Sequence, residues 1–229
     1  MPPPGWGMVG VVARDRDRTV TGLLLLVIGI GLGWIPYVSF IGGILALVGI
    51  ILVIIGRHGY GPEHHRNVVI GGILFVFTII AAVVLAVWFV AALFGQASAS
   101  GTGVTIAGSQ LQGDFEVLFI GAAVVGIIGS LSRVIMVYAL ADQTTRILLW
   151  AGFFASVAVS LLVLAILYPQ IVTAINQATA GSTIDTGPLN SLQGQSTLLG
   201  LLNVLPSLLF VWAYWRAREE ALNRPPVAG

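Results

Sequence analysis

The side chains best suited to metal chemistry in this sequence lie together in one short segment, GRHGYGPEHHRN. It contains one glutamate and three histidines, Glu63, His58, His64 and His65. Imidazole and carboxylate groups bind divalent metals, but helical sites such as HExxH place two histidines four residues apart on one face. The adjacent pair here lacks that spacing, so the segment favours a basic loop near anionic lipid headgroups. We therefore predict no bound metal and no cofactor.

Arg133 and Asn203 are polar residues within otherwise apolar runs. A long arginine side chain can snorkel to the membrane surface, although charges inside a membrane also mark anion or headgroup sites. Asn203 is followed by Pro206, and asparagine can satisfy a carbonyl that a proline leaves without its donor. A discontinuous substrate-binding helix is the alternative. We expect snorkelling and packing, and keep both residues as candidates for an intramembrane polar site.

Two absences from the composition remove whole classes of chemistry. The sequence has no cysteine and no lysine, so all ten Lys and Arg positions are arginines. Disulfides, metal–thiolate sites, lysine Schiff bases and the phosphate-binding lysine of a P-loop are therefore excluded. The sequence also has no GxSxG motif and no basic patch large enough for nucleic acid. We predict a protein that is not an enzyme and has no nucleic-acid partner.

The segments that carry these residues are strongly apolar. Hydrophobic residues make up 57% of the chain and charged residues 8%, and the mean hydropathy is +1.00. A soluble domain has about 25% charged residues, so a chain this poor in charge cannot cover its surface in water. Because only helices and closed barrels satisfy the backbone in lipid, the long apolar runs predict an all-α membrane bundle.

The apolar runs are long enough for several transmembrane helices, each of which needs about 20 apolar residues. We predict six of them, at 19–34, 38–55, 67–94, 115–139, 147–167 and 198–215. Pro36 predicts a tight hairpin between the first two, because proline cannot continue a helix and the flanking Trp34 and Tyr37 favour the headgroup level. Tyr168 and Pro169 are expected to end the fifth helix.

The arginines outside the apolar runs flank the predicted helices on one side only. They are Arg14, Arg16, Arg18, Arg57, Arg66, Arg146, Arg216, Arg218 and Arg224. The hairpin tip and the two long polar loops, around Ser100 and Thr186, contain none. The positive-inside rule then places both termini in the cytoplasm. This divides the chain into a cytoplasmic tail, 1–18, a six-helix transmembrane domain, 19–215, and a second cytoplasmic tail, 216–229.

Glycine recurs at regular spacing in the first two predicted helices. Gly29 and Gly33 form a GxxxG pair, and Gly42 and Gly49 are separated by one heptad. Small residues let two membrane helices approach closely, which is what drives their association in lipid. We predict that these glycines pack the first two helices against each other; a dimerisation face is the alternative.

The segment GLLLLVIGIGLGWIPYVSFIGGILALVGIILVIIG has the pattern of a glycine-rich hairpin broken at Ile-Pro. The loop after it ends with HHRNVV, before another apolar run. In these features the region 21–94 resembles a group of small archaeal and bacterial membrane proteins classed as domain of unknown function 996. The resemblance implies a multi-span membrane protein. It carries over no activity and no site residue.

Taken with the scarcity of titratable groups inside the apolar runs, these patterns favour a structural or accessory subunit of the cytoplasmic membrane. Its expected partners are the lipid bilayer and either a second copy of the chain or another membrane subunit. The alternative is a small-solute or ion transporter or channel, which the even number of helices, Arg133 and the break at Asn203 and Pro206 would suit.

Overall fold

The chain is all helical in a computed structural model that describes residues 6–33, 35, 37–99, 108–179 and 201–224. These residues form six α-helices: α1 (Trp6–Leu32), α2 (Ser39–Ile55), α3 (Pro62–Ala99), α4 (Gly108–Tyr138), α5 (Gln143–Thr179) and α6 (Val204–Asn223). The described ranges contain no strand, so the all-α prediction is confirmed for them. Trp34 and Pro36 at the predicted hairpin tip, Ser100 and Thr186 lie outside the described residues.

Three of the helices are long and apolar enough to span a membrane. The qualifying stretches are Pro62–Gly95 in α3, Gln110–Tyr138 in α4 and Gln143–Gln177 in α5. In each, only 17% of the most apolar window is buried inside the protein, so large apolar side chains face outward along most of its length. Such surfaces need an apolar solvent, as in a membrane protein. Helix α2 is more apolar than these three but shorter, with 17 residues.

Helix α5 continues to Thr179, so the prediction that Tyr168 and Pro169 end it is wrong. A proline inside a helix removes one backbone hydrogen bond but leaves the others in place. In an apolar environment, ending the helix would leave more backbone groups without partners than continuing it does. One turn later, the Thr173 hydroxyl donates a hydrogen bond to the carbonyl oxygen of Pro169 at 2.9 Å.

The first helix also extends further than the sequence indicated. Residues 6–18, expected as a solvated tail, form the first half of α1, and Asp15 within them is buried, with 5% of the residue exposed. Thr19 joins this part of α1 to the end of α2, since its hydroxyl lies 3.1 Å from both the Asp15 and the Gly56 carbonyl oxygens. Helix α3 likewise begins early, at Pro62, where proline is favoured as the first helical residue.

The chain divides into two compact units. Unit 1 comprises the described residues of Met1–Phe75, Ser130–Ala155 and Val204–Gly229. Its core is built by side chains from α1 to α6, among them Leu23, Val53, Val68, Val137, Leu140, Leu149, Phe210 and Tyr214. Unit 2 comprises those of Val76–Gly129 and Ser156–Asn203.

In unit 2, small residues and aromatic rings pack α3 against α4. A Cβ on Gly121 would lie 2.9 Å from the Leu85 side chain, and the rings of Phe89 and Phe115 meet edge to face at 5.0 Å. Near the same end, the Tyr168 hydroxyl donates a hydrogen bond to Glu116 at 3.2 Å.

Helices α1 and α2 form a hairpin in which their backbones touch at glycines. A Cβ on Gly29 would lie 2.6 Å from the Gly42 carbonyl oxygen, and one on Gly49 would lie 2.7 Å from the Gly22 carbonyl oxygen. Gly33 follows the end of α1, and a Cβ on Gly42 would lie 2.9 Å from its nitrogen. No side chain fits at Gly22, Gly29, Gly42 or Gly49, so these glycines are used within the chain rather than at a surface open to a second copy.

Candidate functional site

Four segments, three of which bear arginines, come together at one end of unit 1. The first half of α1, the connection at 56–61, the connection at 139–142 and the last turns of α6 are joined there by hydrogen bonds between side chains and backbone. We call the side chains that join them the polar cap: Arg16, Tyr60, Asp142, Thr145, Arg216, Glu220 and Arg224.

Arg16, on α1, binds the C-terminal end of α6. One of its guanidinium nitrogens donates hydrogen bonds to the carbonyl oxygens of Ala221, at 3.3 Å, and Arg224. The last carbonyls of a helix have no donor within the helix, and the helix dipole makes that end negative. A guanidinium is therefore well suited to the position, both as a donor and as a positive charge.

Tyr60 reinforces the same contact from the connection between α2 and α3. Its hydroxyl donates to the Ala221 carbonyl oxygen at 3.2 Å, and the Arg16 guanidinium lies over its ring, 5.2 Å from the centroid. Burial raises the pKa of the Tyr60 hydroxyl, while the nearby Arg16 acts in the opposite direction. The hydroxyl accordingly stays neutral and acts as a donor.

Arg224 makes the reciprocal connection from the end of α6 to the end of α4. Its guanidinium donates to the carbonyl oxygens of Ala139 at 3.0 Å and Leu140 at 3.1 Å. Helix α4 ends at Tyr138, so these carbonyls lie just beyond its last turn. Two arginines thus each stabilise the C-terminal end of a different helix.

The carboxylates of the polar cap bind the start of α5. Asp142 accepts a hydrogen bond from the Thr145 backbone nitrogen at 2.6 Å, which is the N-cap arrangement. Hydrogen bonds from Thr145 are the main cause of a lowered pKa at Asp142, and Arg216, 3.3 Å away, contributes. Glu220 accepts from the Thr145 hydroxyl at 2.8 Å and from the Asp142 nitrogen. Burial raises the pKa of Glu220 despite these bonds.

The histidines of the segment GRHGYGPEHHRN do not converge on a metal site. His64 is 1% exposed, neither ring nitrogen has a hydrogen-bond partner, and its ring meets the edge of Tyr60 at 5.5 Å. His58 and His65 stack on each other at 4.5 Å, and Glu63 is exposed. Among the described residues no group of three or more potential metal ligands comes together.

The two sequence candidates for an intramembrane polar site belong to different units. Arg133 is exposed on α4 in unit 1, and its charge acts on the buried Tyr214 of α6. Asn203, in unit 2, lines a cavity of about 270 Å³. The other lining residues come from α4 and α5 and are apolar except for one serine: Phe119, Ala122, Ala123, Val159, Ser160, Val163 and Leu164.

Sequence reasoning missed the roles of Arg16, Tyr60, Glu220 and Arg224. The available signal was their position at predicted helix ends, where dipole and capping arguments apply. Chemically, the polar cap holds helix ends, since its guanidinium and carboxylate groups contact backbone or each other. Comparisons of the chain with models of protein families, with curated proteins and with solved structures found no match.

Proposed function

We propose that the protein is a multi-pass protein of the cytoplasmic membrane, with six transmembrane helices and both termini in the cytoplasm, and that it serves as a structural or accessory subunit. The observation that carries this proposal is the polar cap. Its chemically capable side chains hold helix ends together, as Arg16 does for α6 and Arg224 for α4. A scaffold needs this rigidity, whereas catalysis needs titratable groups directed at an open pocket.

The polar cap also supports the orientation. The segments at its centre carry Arg14, Arg16, Arg18, Arg57, Arg216, Arg218 and Arg224, and they contact one another at one end of unit 1. Arginine-rich connections remain in the cytoplasm when a membrane protein inserts. The multi-span character is also what the resemblance to domain of unknown function 996 implies.

A second candidate function is transport of a small solute, and the cavity beside Asn203 favours it. Two of its lining residues, Ser160 and Asn203, are polar and the rest are apolar. Ligand sites combine an apolar lining with a few polar groups in this way. A lining without a charged side chain suits a small amphipathic solute better than an ion.

Cysteine labelling tests the topology, because the native chain has no cysteine. We expect a membrane-impermeant maleimide to label Ser100→Cys in intact cells and Gln143→Cys only after lysis. Gln143 is exposed at the start of α5 and is therefore accessible to the reagent once the membrane is open. Labelling of Ser100→Cys only after lysis would overturn the proposed orientation.

Size and flux measurements test the role. After mild extraction from native membranes, we expect a discrete complex larger than the 24.0 kDa chain, and no solute flux in proteoliposomes. A monomer that carries a solute, with flux abolished by Asn203→Ala and kept by Asn176→Ala, would replace the scaffold with the transporter.

A further inference from the structure

Three tryptophans of unit 1 point outward instead of packing in its core. Trp150 on α5 is 37% exposed, and Trp212 and Trp215 on α6 are 57% and 42% exposed. An indole combines a large apolar body with one polar N–H, so exposed tryptophans in membrane proteins concentrate at the boundary between hydrocarbon and headgroups. Their level in the bundle therefore locates that boundary.

The contacts between α5 and α6 put Trp150 and Trp212 at one level. The two helices pair at Thr145 with Glu220, and again where a Cβ on Gly152 would lie 3.4 Å from the Phe210 ring. Trp150 lies two residues from Gly152, and Trp212 lies two residues from Phe210, each on the side of the second contact that faces the polar cap. Trp215 lies one turn nearer the polar cap on the same helix.

Two arginines lie at this level without an ion pair among the described residues. The charge of Arg133 acts on Tyr214, which directly precedes Trp215 in the sequence. The Arg218 guanidinium lies 5.5 Å from the centre of the Trp215 ring, and its Nε is buried and has no hydrogen-bond partner. Asp142 and Glu220 are already bonded within the polar cap. Glu219 also lies here and accepts a hydrogen bond from the Trp215 indole at 2.8 Å, so two arginines and one carboxylate leave a net positive charge at this level.

We propose that Arg133, Trp150, Trp212, Trp215 and Arg218, together the headgroup band, bind the headgroups of anionic phospholipids in one leaflet. Guanidinium groups bind phosphate through paired N–H donors, and basic residues at a membrane surface attract anionic lipids. The inference rests on the proposed membrane-spanning function and deepens it by naming the lipid class.

The headgroup band changes the interpretation of Arg133. Counted from the end of α4, this arginine lies about 9 Å into the apolar run, which would require snorkelling. With the boundary at Trp150 and Trp212, its guanidinium is already among headgroups. The polar cap then lies outside the hydrocarbon, in water and lipid phosphate.

Nitroxide labels on either side of the headgroup band test its depth. Ile147 and Phe154 flank Trp150 on α5 and are equally exposed, at 62%. We expect a label at Ile147→Cys to be relaxed mainly by a water-soluble nickel chelate, and one at Phe154→Cys mainly by oxygen. Oxygen-dominated relaxation at both positions would place the boundary nearer the polar cap and overturn the assignment.

Lipid dependence tests the partner. In nanodiscs, we expect phosphatidylglycerol to raise the unfolding midpoint above that in phosphatidylcholine, and Arg133→Gln or Arg218→Gln to lose most of this shift. Arg14→Gln removes an equally positive side chain of α1 that lies outside the headgroup band, and this variant should keep the shift. Equal loss in all three variants would mean a nonspecific charge effect and refute the headgroup band. Release of the wild-type chain by alkaline carbonate would instead refute the proposed membrane-spanning function.

Discussion

The Arg224 guanidinium donates a hydrogen bond to the carbonyl oxygen of Leu140 at 3.1 Å, and so joins the end of α6 to the end of α4 across a sequence separation of 84 residues. A second donor from the same side chain reaches the Ala139 carbonyl oxygen at 3.0 Å. Two parallel donors in a fixed plane are a property of arginine that lysine lacks.

Replacing Arg224 should therefore destabilise unit 1. Charge-assisted hydrogen bonds are worth about 1.5–3 kcal/mol, and partial exposure reduces that, so we expect Arg224→Ala to cost about 1–2 kcal/mol of unfolding free energy. Arg224→Lys should recover less than half of the loss. Unfolding by urea in detergent micelles measures both. Arg66→Ala, which alters an exposed arginine, is the control and should unfold like the wild type.

The α1–α2 hairpin gives a prediction with a matched control on the same helix. A Cβ on Gly49 would lie 2.7 Å from the Gly22 carbonyl oxygen, whereas one on Gly43 would have no atom within 4 Å. Gly49→Leu must separate the helices and should lower the midpoint of thermal unfolding by many degrees. Gly43→Leu should leave it nearly unchanged. Similar midpoints for the two variants would contradict the contact.

The hairpin and the polar cap differ in how far the sequence could predict them. Glycine spacing reports backbone contact directly, because only a missing side chain allows it, and Gly42 and Gly49 lie at such contacts. The acceptors of Arg16 and Arg224 are backbone carbonyls, which every residue has, so no residue type marks them in advance. Burial of Asp15 was equally hidden, since it depends on Gly56 from the next helix end.

Asp142 should make the stability of the polar cap sensitive to acid. Its pKa lies below the ordinary value of 3.8 because the folded state binds the ionised form through Thr145, Glu220 and Arg216. The stabilisation is therefore present above that ordinary value and is lost as pH falls through the lowered pKa. Asp142→Ala should cost about 1 kcal/mol at pH 7, as loss of an N-cap does, and less in acid.

Glu220 changes the stability with pH in the opposite direction, and its contribution must be separated from that of Asp142. Its pKa is raised above 4.5, so its contribution is present in acid and is lost as pH rises through the raised value. Unfolding free energies of Asp142→Ala and Glu220→Gln, measured from pH 3 to pH 7, distinguish the two. Asp17→Ala, an exposed acid on α1, should follow the wild type throughout. A constant difference between wild type and Asp142→Ala at every pH would contradict an ionic role.

Pro169 offers the final prediction, because its position within α5 contradicts the stop that its residue type suggests. Alanine there would supply the missing N–H donor and remove the clash of the ring with the preceding turn, a difference of up to about 3 kcal/mol in a helix interior. We expect Pro169→Ala to raise the unfolding free energy by about 1–3 kcal/mol without loss of helical circular dichroism. Pro62→Ala is the matched control, since Pro62 is the first residue of α3 and sacrifices no helical hydrogen bond. A gain at position 62 as large as that at 169, or no gain at 169, would show that the interior proline is not what limits the stability of α5.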